Sequence, residues 1–295
     1  MPFLLLVTLL AGPVRADELA ITLDDPNLAL TPLLMPDARN AAILRALEKA
    51  GLKTILFVCG SKVDTPRGKT LLRTWSRAGH ELGNHTYSHT LFNRESMTVA
   101  AFSVDTVKNE PLIEGLPGFV KRFRYPFLKE GDTRDKRNGM RSWLVTHGYR
   151  SGAVSVDASD WAIDDRLRAR LTREPKADVT PYRDYYVKHI LDRATYYRTL
   201  ARDVVGRPVK HVLLLHHNLL NALFLGDLIV ALKADGWTLV NPETAYSDPI
   251  YGEDVDLVPA GESVVWQVAK KKGRTVRYPA EDAAYEAPAM DKLGL

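Results

Sequence analysis

A single cysteine, Cys59, stands among the 295 residues, so no disulfide can form within the chain and a metal site built from several cysteines is excluded. Any metal must therefore be held by His, Asp or Glu. Charge of one sign is not in excess: 40 Lys and Arg against 36 Asp and Glu leave +4, with the charges dispersed. That balance permits an anionic polymer as partner but does not demand one. Beyond residue 16 there is no long apolar run, so no membrane span is expected. Internal repeats and low-complexity segments are also missing. What is present is ordinary for a globular chain: 45% hydrophobic and 26% charged residues exclude a disordered chain, a coiled coil and a collagen-like fibre.

The first residues read as a targeting signal. Phe3–Ala11 is FLLLVTLLA, and Val14-Arg15-Ala16 follows with small residues where a signal peptidase reads. The run is too short to span a bilayer, and no Lys or Arg precedes it. The expectation is a leader over residues 1–16 and export to the periplasm or extracellular space. A lone thiol poses no pairing problem there.

From residue 17 onward, helices and short apolar strands alternate. Leu19–Leu23 (LAITL) reads as a strand, and Asp37 is placed to cap a helix over Ala38–Ala50 that Gly51 ends. Thr54–Val58 is a buried-type strand, and Thr65-Pro66 opens the next helix. Further strands are expected at Glu81–Asn84, Arg122–Tyr125, Ala153–Val156, Val212–Leu215 and Trp237–Val240, with a long helix over Tyr182–Val205. The unit of helix, glycine, short strand recurs at Gly51, Gly79, Gly148 and Gly236. Such alternation builds a mostly parallel sheet with helices outside. Six or seven strands over about 225 residues fit a closed, if distorted, (β/α) barrel better than a small open sheet. The alternation fades over residues 246–295, which hold Pro249, Pro259, Pro279 and Pro288 and are expected to form an extended C-terminal tail with at most a hairpin packed on the barrel.

Chemistry gathers where the strands end, the place barrel enzymes use. Asp24-Asp25 follows the first strand, and adjacent side chains point differently, so one can bind a metal while the other faces a water. His85 and His89, in HTYSH, follow the Glu81–Asn84 strand; one helical turn would bring both imidazoles to one ion. Arg124 in RYPF can pair with a strand-end carboxylate. Asp160-Trp161 follows another strand, and a Trp at such a mouth can stack on a sugar. His216-His217 ends LLLHH, giving a candidate acid or base, with His217 readable as a core-edge residue. Arg166, Arg168, Arg170 and Arg173 form a basic run, read first as a solvated insertion and second as a contact for an anionic glycan.

The order LDD, HTYSH, RYPF, DW, LLLHH resembles the five motifs of the polysaccharide deacetylases (carbohydrate esterase family 4, the NodB homology domain), over about residues 19–245. The resemblance implies an α/β fold of NodB type over 17–245 and a C-terminal extension over 246–295. It implies that Asp24 is the catalytic base and that Asp25, His85 and His89 hold one divalent metal, zinc first, with cobalt, manganese or nickel as alternatives. Arg124 would pair with the base and the Phe127 N–H would join an oxyanion hole. Trp161 would line the groove, Asp160 would tune the catalytic histidine, and His216 would be that histidine, the general acid. The chain departs from the family pattern at Leu23 (usually Phe), Pro26 (usually Gly) and His217 (usually Asp). These changes leave the ligand set intact and alter the groove floor. The expected activity is removal of N-acetyl groups from amino-sugar glycans, with a glycan rather than a nucleic acid as partner. The alternatives are an O-acetyl esterase or small amide hydrolase on the same fold, or a carbohydrate-binding module without turnover.

Overall fold

The computed structural model describes residues 17–277 and 283–295. The leader expected at 1–16 lies outside the described residues. Five strands carry the sheet's centre: β1 (Glu18–Asp24), β2 (Ile55–Val58), β3 (Glu81–Asn84), β4 (Phe119–Phe123) and, later in the chain, β7 (His211–His216). Between them run α1 (Pro36–Ala50), α2 (Pro66–Arg77), α3 (Val99–Ile113), β5 (Lys129–Gly131), α4 (Arg134–Thr146), β6 (Arg150–Ser151), α5 (Asp160–Arg173) and α6 (Thr180–Val205). After β7 come α7 (Leu219–Ala234), β8 (Thr238–Leu239), α8 (Pro242–Tyr246), β9 (Ala260–Gly261), α9 (Val264–Lys271) and α10 (Ala283–Lys292).

The sheet is parallel, in the order β6-β4-β3-β2-β1-β7, with β8 beside the start of β1. Its inner strands are continuous apolar runs because both faces are covered: Leu19, Ala20, Leu23 and all of Ile55–Val58 are fully buried. Register fixes the functional rim. Asp24 pairs with Phe57 on one side and His216 on the other, and Asn84 pairs with Val58 and Phe123. Five strand ends therefore meet at one level.

The sheet curls, and residues 150–157 link its two edges. Ser151 pairs with Phe123 of β4, while Val156 bridges Leu213 of β7. The strand expected at Ala153–Val156 is thus a single bridge. The four residues between Ser151 and Val156 cross from one edge to the other and cannot follow a regular ladder with either. This gives a distorted α/β barrel rather than a fully regular one.

Two expectations are corrected. Helix α1 begins at Pro36 rather than Ala38, with Met35 at the cap position, so Asp37 lies in the first turn instead of capping. The stretch after 245 is not an extended tail. Helix α9 presents Val264, Val265 and Val268 to the main core, joined by Ile250, Tyr251 and Met290. Strand β9 pairs antiparallel with β5. The prolines masked a helical spacing that the burial pattern makes plain. Among the described residues, no helix is long and apolar enough to cross a membrane.

Candidate active site

A cavity of about 430 Å³ opens at the rim, lined by Asp24, Asp25, His85, His89, Tyr125, Phe127, Leu128, Asp157, Trp161, Leu214 and His216. Seven of the nine expected site residues face it. The other two, Arg124 and Asp160, stand behind Asp24 and His216.

Asp24 is the last residue of β1 and is buried. Arg124, the first residue past β4, reaches it with Nη1 at 2.5 Å. The rest of that guanidinium is satisfied too: Nε donates to the Gly152 carbonyl at 2.8 Å, and Nη2 to Thr22 Oγ1 at 2.9 Å and Tyr246 Oη at 3.2 Å. Burial pushes the Asp24 carboxyl up to about 6, against the downward pull of Arg124.

Asp25 adopts a left-handed backbone (φ 62°), which turns its side chain into the cavity. Its Oδ2 lies 3.3 Å from His89 Nε2 and 2.8 Å from Lys62 Nζ. Burial opposes ionisation here as well, but His89, His85 and Lys62 together hold this carboxyl below the usual carboxylate range. Asp25 Oδ1 is buried with no hydrogen-bond partner.

The HTYSH segment is a loop, not the helical turn expected of it. Thr86 and His89 are both left-handed, at φ 62° and 55°. The loop is pinned from outside: Asn84 Oδ1 accepts from the Thr86 N–H at 2.9 Å, and Asp105 Oδ2 accepts from Ser88 Oγ at 2.8 Å. The rings still converge, with centroids 4.9 Å apart. His85 Nδ1 sits 2.8 Å from the Arg124 carbonyl. A carbonyl only accepts, so Nδ1 carries the proton and the Nε2 lone pair is left facing the cavity. Burial, then His89, lowers the His85 pKa well below its ordinary value, and burial lowers that of His89. One donor atom from each of Asp25, His85 and His89 falls within 4.8 Å of the others.

Across the cavity, His216 ends β7 and is partly exposed, while Asp160 behind it is fully buried. Asp160 Oδ1 accepts from His216 Nδ1 at 2.7 Å. Its Oδ2 accepts from the His216 N–H at 2.9 Å, Asn218 Nδ2 at 2.9 Å and Asn221 Nδ2 at 2.7 Å. Burial works against an imidazolium, but Asp160 overrides it and raises His216 to about 9. His217 points the other way. It is fully buried, with Nε2 3.1 Å from Asn40 Oδ1, and burial drops it to about 3.

Phe127 packs its ring 4.6 Å from that of His89, and Trp161 also lines the cavity. The basic run is helical. It lies on α5, where Arg168 pairs with Asp164 and Asp165, Arg170 with Glu174, and Arg166 with Asp291. None of these arginines lines the cavity.

Several members were not legible beforehand. Lys62 comes from the turn after β2, and nothing in its sequence context aims it at Asp25. Tyr246 lies just past the boundary expected at 245. Asn218 and Asn221 carried a usable signal: Asn218 caps α7 by accepting from the Asn221 N–H at 2.9 Å, so both had to sit beside the strand end.

Known proteins resemble this chain in sequence and in fold. The model of the polysaccharide deacetylase family matches residues 11–143, the stretch with the first three motifs. Over 153 residues the chain is 27% identical to a peptidoglycan-N-acetylglucosamine deacetylase of Bacillus cereus; the alignment covers 51% of this chain and 49% of that protein, about half the length of each. Among solved structures, a polysaccharide deacetylase of Bacillus cereus shares the fold at a TM-score of 0.55 and 18% identity, over 77% of this chain and 94% of that one. A family 4 pseudoenzyme from Bacillus anthracis shares it at a TM-score of 0.54 and 16% identity, over 78% and 66%. With five motifs in order, a family model that matches residues 11–143 and a shared fold, the chain is similar to the polysaccharide deacetylases.

Proposed function

We propose that the chain is a metal-dependent hydrolase that removes N-acetyl groups from amino-sugar glycans of the chitooligosaccharide or peptidoglycan type. One observation carries this reading. Two ion pairs, Arg124–Asp24 and Asp160–His216, present a carboxylate and an imidazole to the same cavity as the Asp25, His85 and His89 donors. Similarity to a peptidoglycan-N-acetylglucosamine deacetylase supports the glycan class.

The three donors fit a divalent cation. His85 is held in the tautomer that leaves Nε2 free, and the buried Asp25 Oδ1 has no other partner. Two imidazoles and a carboxylate suit zinc, cobalt, manganese or nickel. When bound, such an ion polarises a carbonyl oxygen and acidifies a water. The remaining steps belong to the chain's own residues. Asp24 accepts a proton from the attacking water, its raised pKa making it a competent base near neutral pH. Arg124 orients that carboxylate. The Phe127 N–H, on the cavity wall, is the donor proposed for the carbonyl oxygen as it gains charge. His216 delivers its Nε2 proton to the departing amine, and Asp160 keeps it charged. Trp161 offers an apolar wall to the sugar ring.

The test is acetate release from chitin oligomers, peptidoglycan and acetylxylan, with metal content measured on the same samples. Release from N-acetylated glycans that a chelator abolishes and added metal restores is the expected result. Faster release from acetylxylan would make the chain an O-acetyl esterase. Metal-loaded protein that binds glycan and frees no acetate would make it a binding module.

A further inference from the structure

Phe127 is 47% exposed, so burial does not fix its place over His89. Its backbone must be held instead, and that backbone is unfavourable. Phe127 and the next residue, Leu128, are both left-handed, at φ 57° and 55°, a conformation that side chains with a Cβ resist. Two such residues in succession persist only where the surroundings impose them.

The C-terminal segment supplies the imposition. Strand β9 lays Gly261 against Lys129, and the Glu262 N–H donates to the Leu128 carbonyl at 2.9 Å. Lys129 and Glu262 form an ion pair. The approach is so close that a Cβ on Gly261 would lie 2.0 Å from the Leu128 oxygen, and Gly261 itself sits at φ 118°, which L side chains rarely adopt. The segment is anchored on its far side. Ser263 Oγ donates to the Ser155 carbonyl at 2.7 Å, and the Val264 N–H to the Val154 carbonyl at 2.8 Å. Ion pairs from Arg137 and Arg141 to Asp256 and Asp254 tie it to α4.

We propose that Gly261 and Glu262 are positioning residues for the active-site loop 126–128: they clamp the Leu128 carbonyl, and through it set Phe127 against His89. The clamp lies outside the stretch matched by the family model, so the segment after 245 belongs to the site rather than trailing from it. The inference rests on reading this cavity as the reaction site.

The variant Gly261→Ala forces the Leu128 carbonyl away, whereas Gly252→Ala has nothing within 4 Å and serves as the control. Amide hydrogen exchange, read by mass spectrometry on the whole protein, requires no substrate. Exchange over 126–131 is expected to speed up at least about tenfold in Gly261→Ala, with exchange in β7 and the Gly252→Ala pattern unchanged. The KM for a chitin oligomer is expected to rise at least about threefold, a change that a smaller folded fraction cannot produce. Glu262→Gln, which removes only the charge facing Lys129, decides the matter if Gly261→Ala does not fold, with a rise of about threefold in exchange over the same residues expected. Exchange that stays at wild-type rates over 126–131, or that accelerates equally in β7, overturns the clamp. Altered exchange in a protein that deacetylates nothing would uphold the clamp and sink the proposed activity instead.

Discussion

Asp160→Asn is the sharpest perturbation available to this site, because it changes one charge and almost no volume. Asp160 accepts four hydrogen bonds, three of them on Oδ2 and one, from His216 Nδ1, on Oδ1. In the amide, the carbonyl oxygen keeps the three-donor side, and the NH₂ is left facing His216 Nδ1. That ring nitrogen must then accept rather than donate, so the imidazolium loses both its counter-charge and its hydrogen bond. Its pKa, held at about 9 by Asp160 against burial, falls to its ordinary 6.5 or lower, since the burial remains. At pH 8 the protonated fraction drops from about 0.9 to about 0.03, an approximately 30-fold loss of general acid on occupancy alone. A cation held at Asp25 would lower the wild-type and variant values alike. The assay is kcat/KM against pH for an N-acetylated chitin oligomer, wild type beside variant, with metal content checked. The alkaline limb should move to lower pH in Asp160→Asn. A limb that stays in place while the rate falls uniformly would refute proton delivery by His216 and leave it a purely positional role.

His216→Ala should slow amide hydrolysis at least about tenfold more than hydrolysis of an activated aryl acetate, whose leaving group needs no proton, while His217→Ala should show no such asymmetry. Asp24→Asn should keep the metal and lose most activity, whereas Asp25→Asn should lose metal; elemental analysis showing equal loss in both would dissolve the division of labour. Lys62→Met should tighten cobalt binding by about tenfold in chelator competition, because the ammonium 2.8 Å from Asp25 Oδ2 opposes a second cation there; unchanged affinity would mean that the side chain swings clear. His211 is fully buried, and burial lowers it to about 3, so between pH 6.5 and about 3 the unfolded chain takes up a proton that the native one refuses. Stability is therefore complete above pH 6.5 and falls with acid, by about 1.4 kcal/mol per pH unit for this group, and His211→Gln should show a shallower fall in urea midpoint than wild type between pH 6.5 and 5.

How much of this could be read from residues alone follows from chain connectivity. Parallel strands are short apolar runs whose last residue faces the rim, so an acid, His or Arg directly after such a run is visible in one dimension. Asp24, His85, Arg124 and His216 all stand in that relation to β1, β3, β4 and β7. The further partners of Arg124 were hidden, since they come from far along the chain. Arg124 reaches Thr22, Gly152 and Tyr246, none of which is marked by its own neighbours. The HTYSH spacing gave the right convergence for the wrong reason: four residues place two rings together in a helical turn, and here they do so in a loop with two left-handed residues. The C-terminal segment was misread because prolines at 249 and 259 outweighed the spacing of Val264, Val265 and Val268. Yet those prolines sit in the approach to α9, outside the helix, where they do not interrupt it.

The pairing of Asp24 with Asp25 shows why neighbouring residues can do different work. Along a strand, successive side chains point to opposite faces. Had residue 25 continued β1 with extended geometry, its carboxylate would have left the cavity as Asp24 entered it. The Asp25 N–H still bonds to the Phe57 carbonyl at 3.1 Å, but φ flips to 62° there and returns the side chain to the same cavity. Such a conformation costs roughly 1–2 kcal/mol, and Asp is one of the few residues that tolerate it. The flip also separates their electrostatics. Asp24 turns inward to Arg124, where burial raises its carboxyl to about 6, while Asp25 faces two imidazoles and Lys62 and is held below the ordinary carboxylate range. Near neutral pH one is placed to accept a proton and the other stays a fixed anion. In the proposed mechanism, two titratable groups driven apart in this way serve as base and ligand. Exchanging the two environments, not the two residue types, is what would exchange their roles.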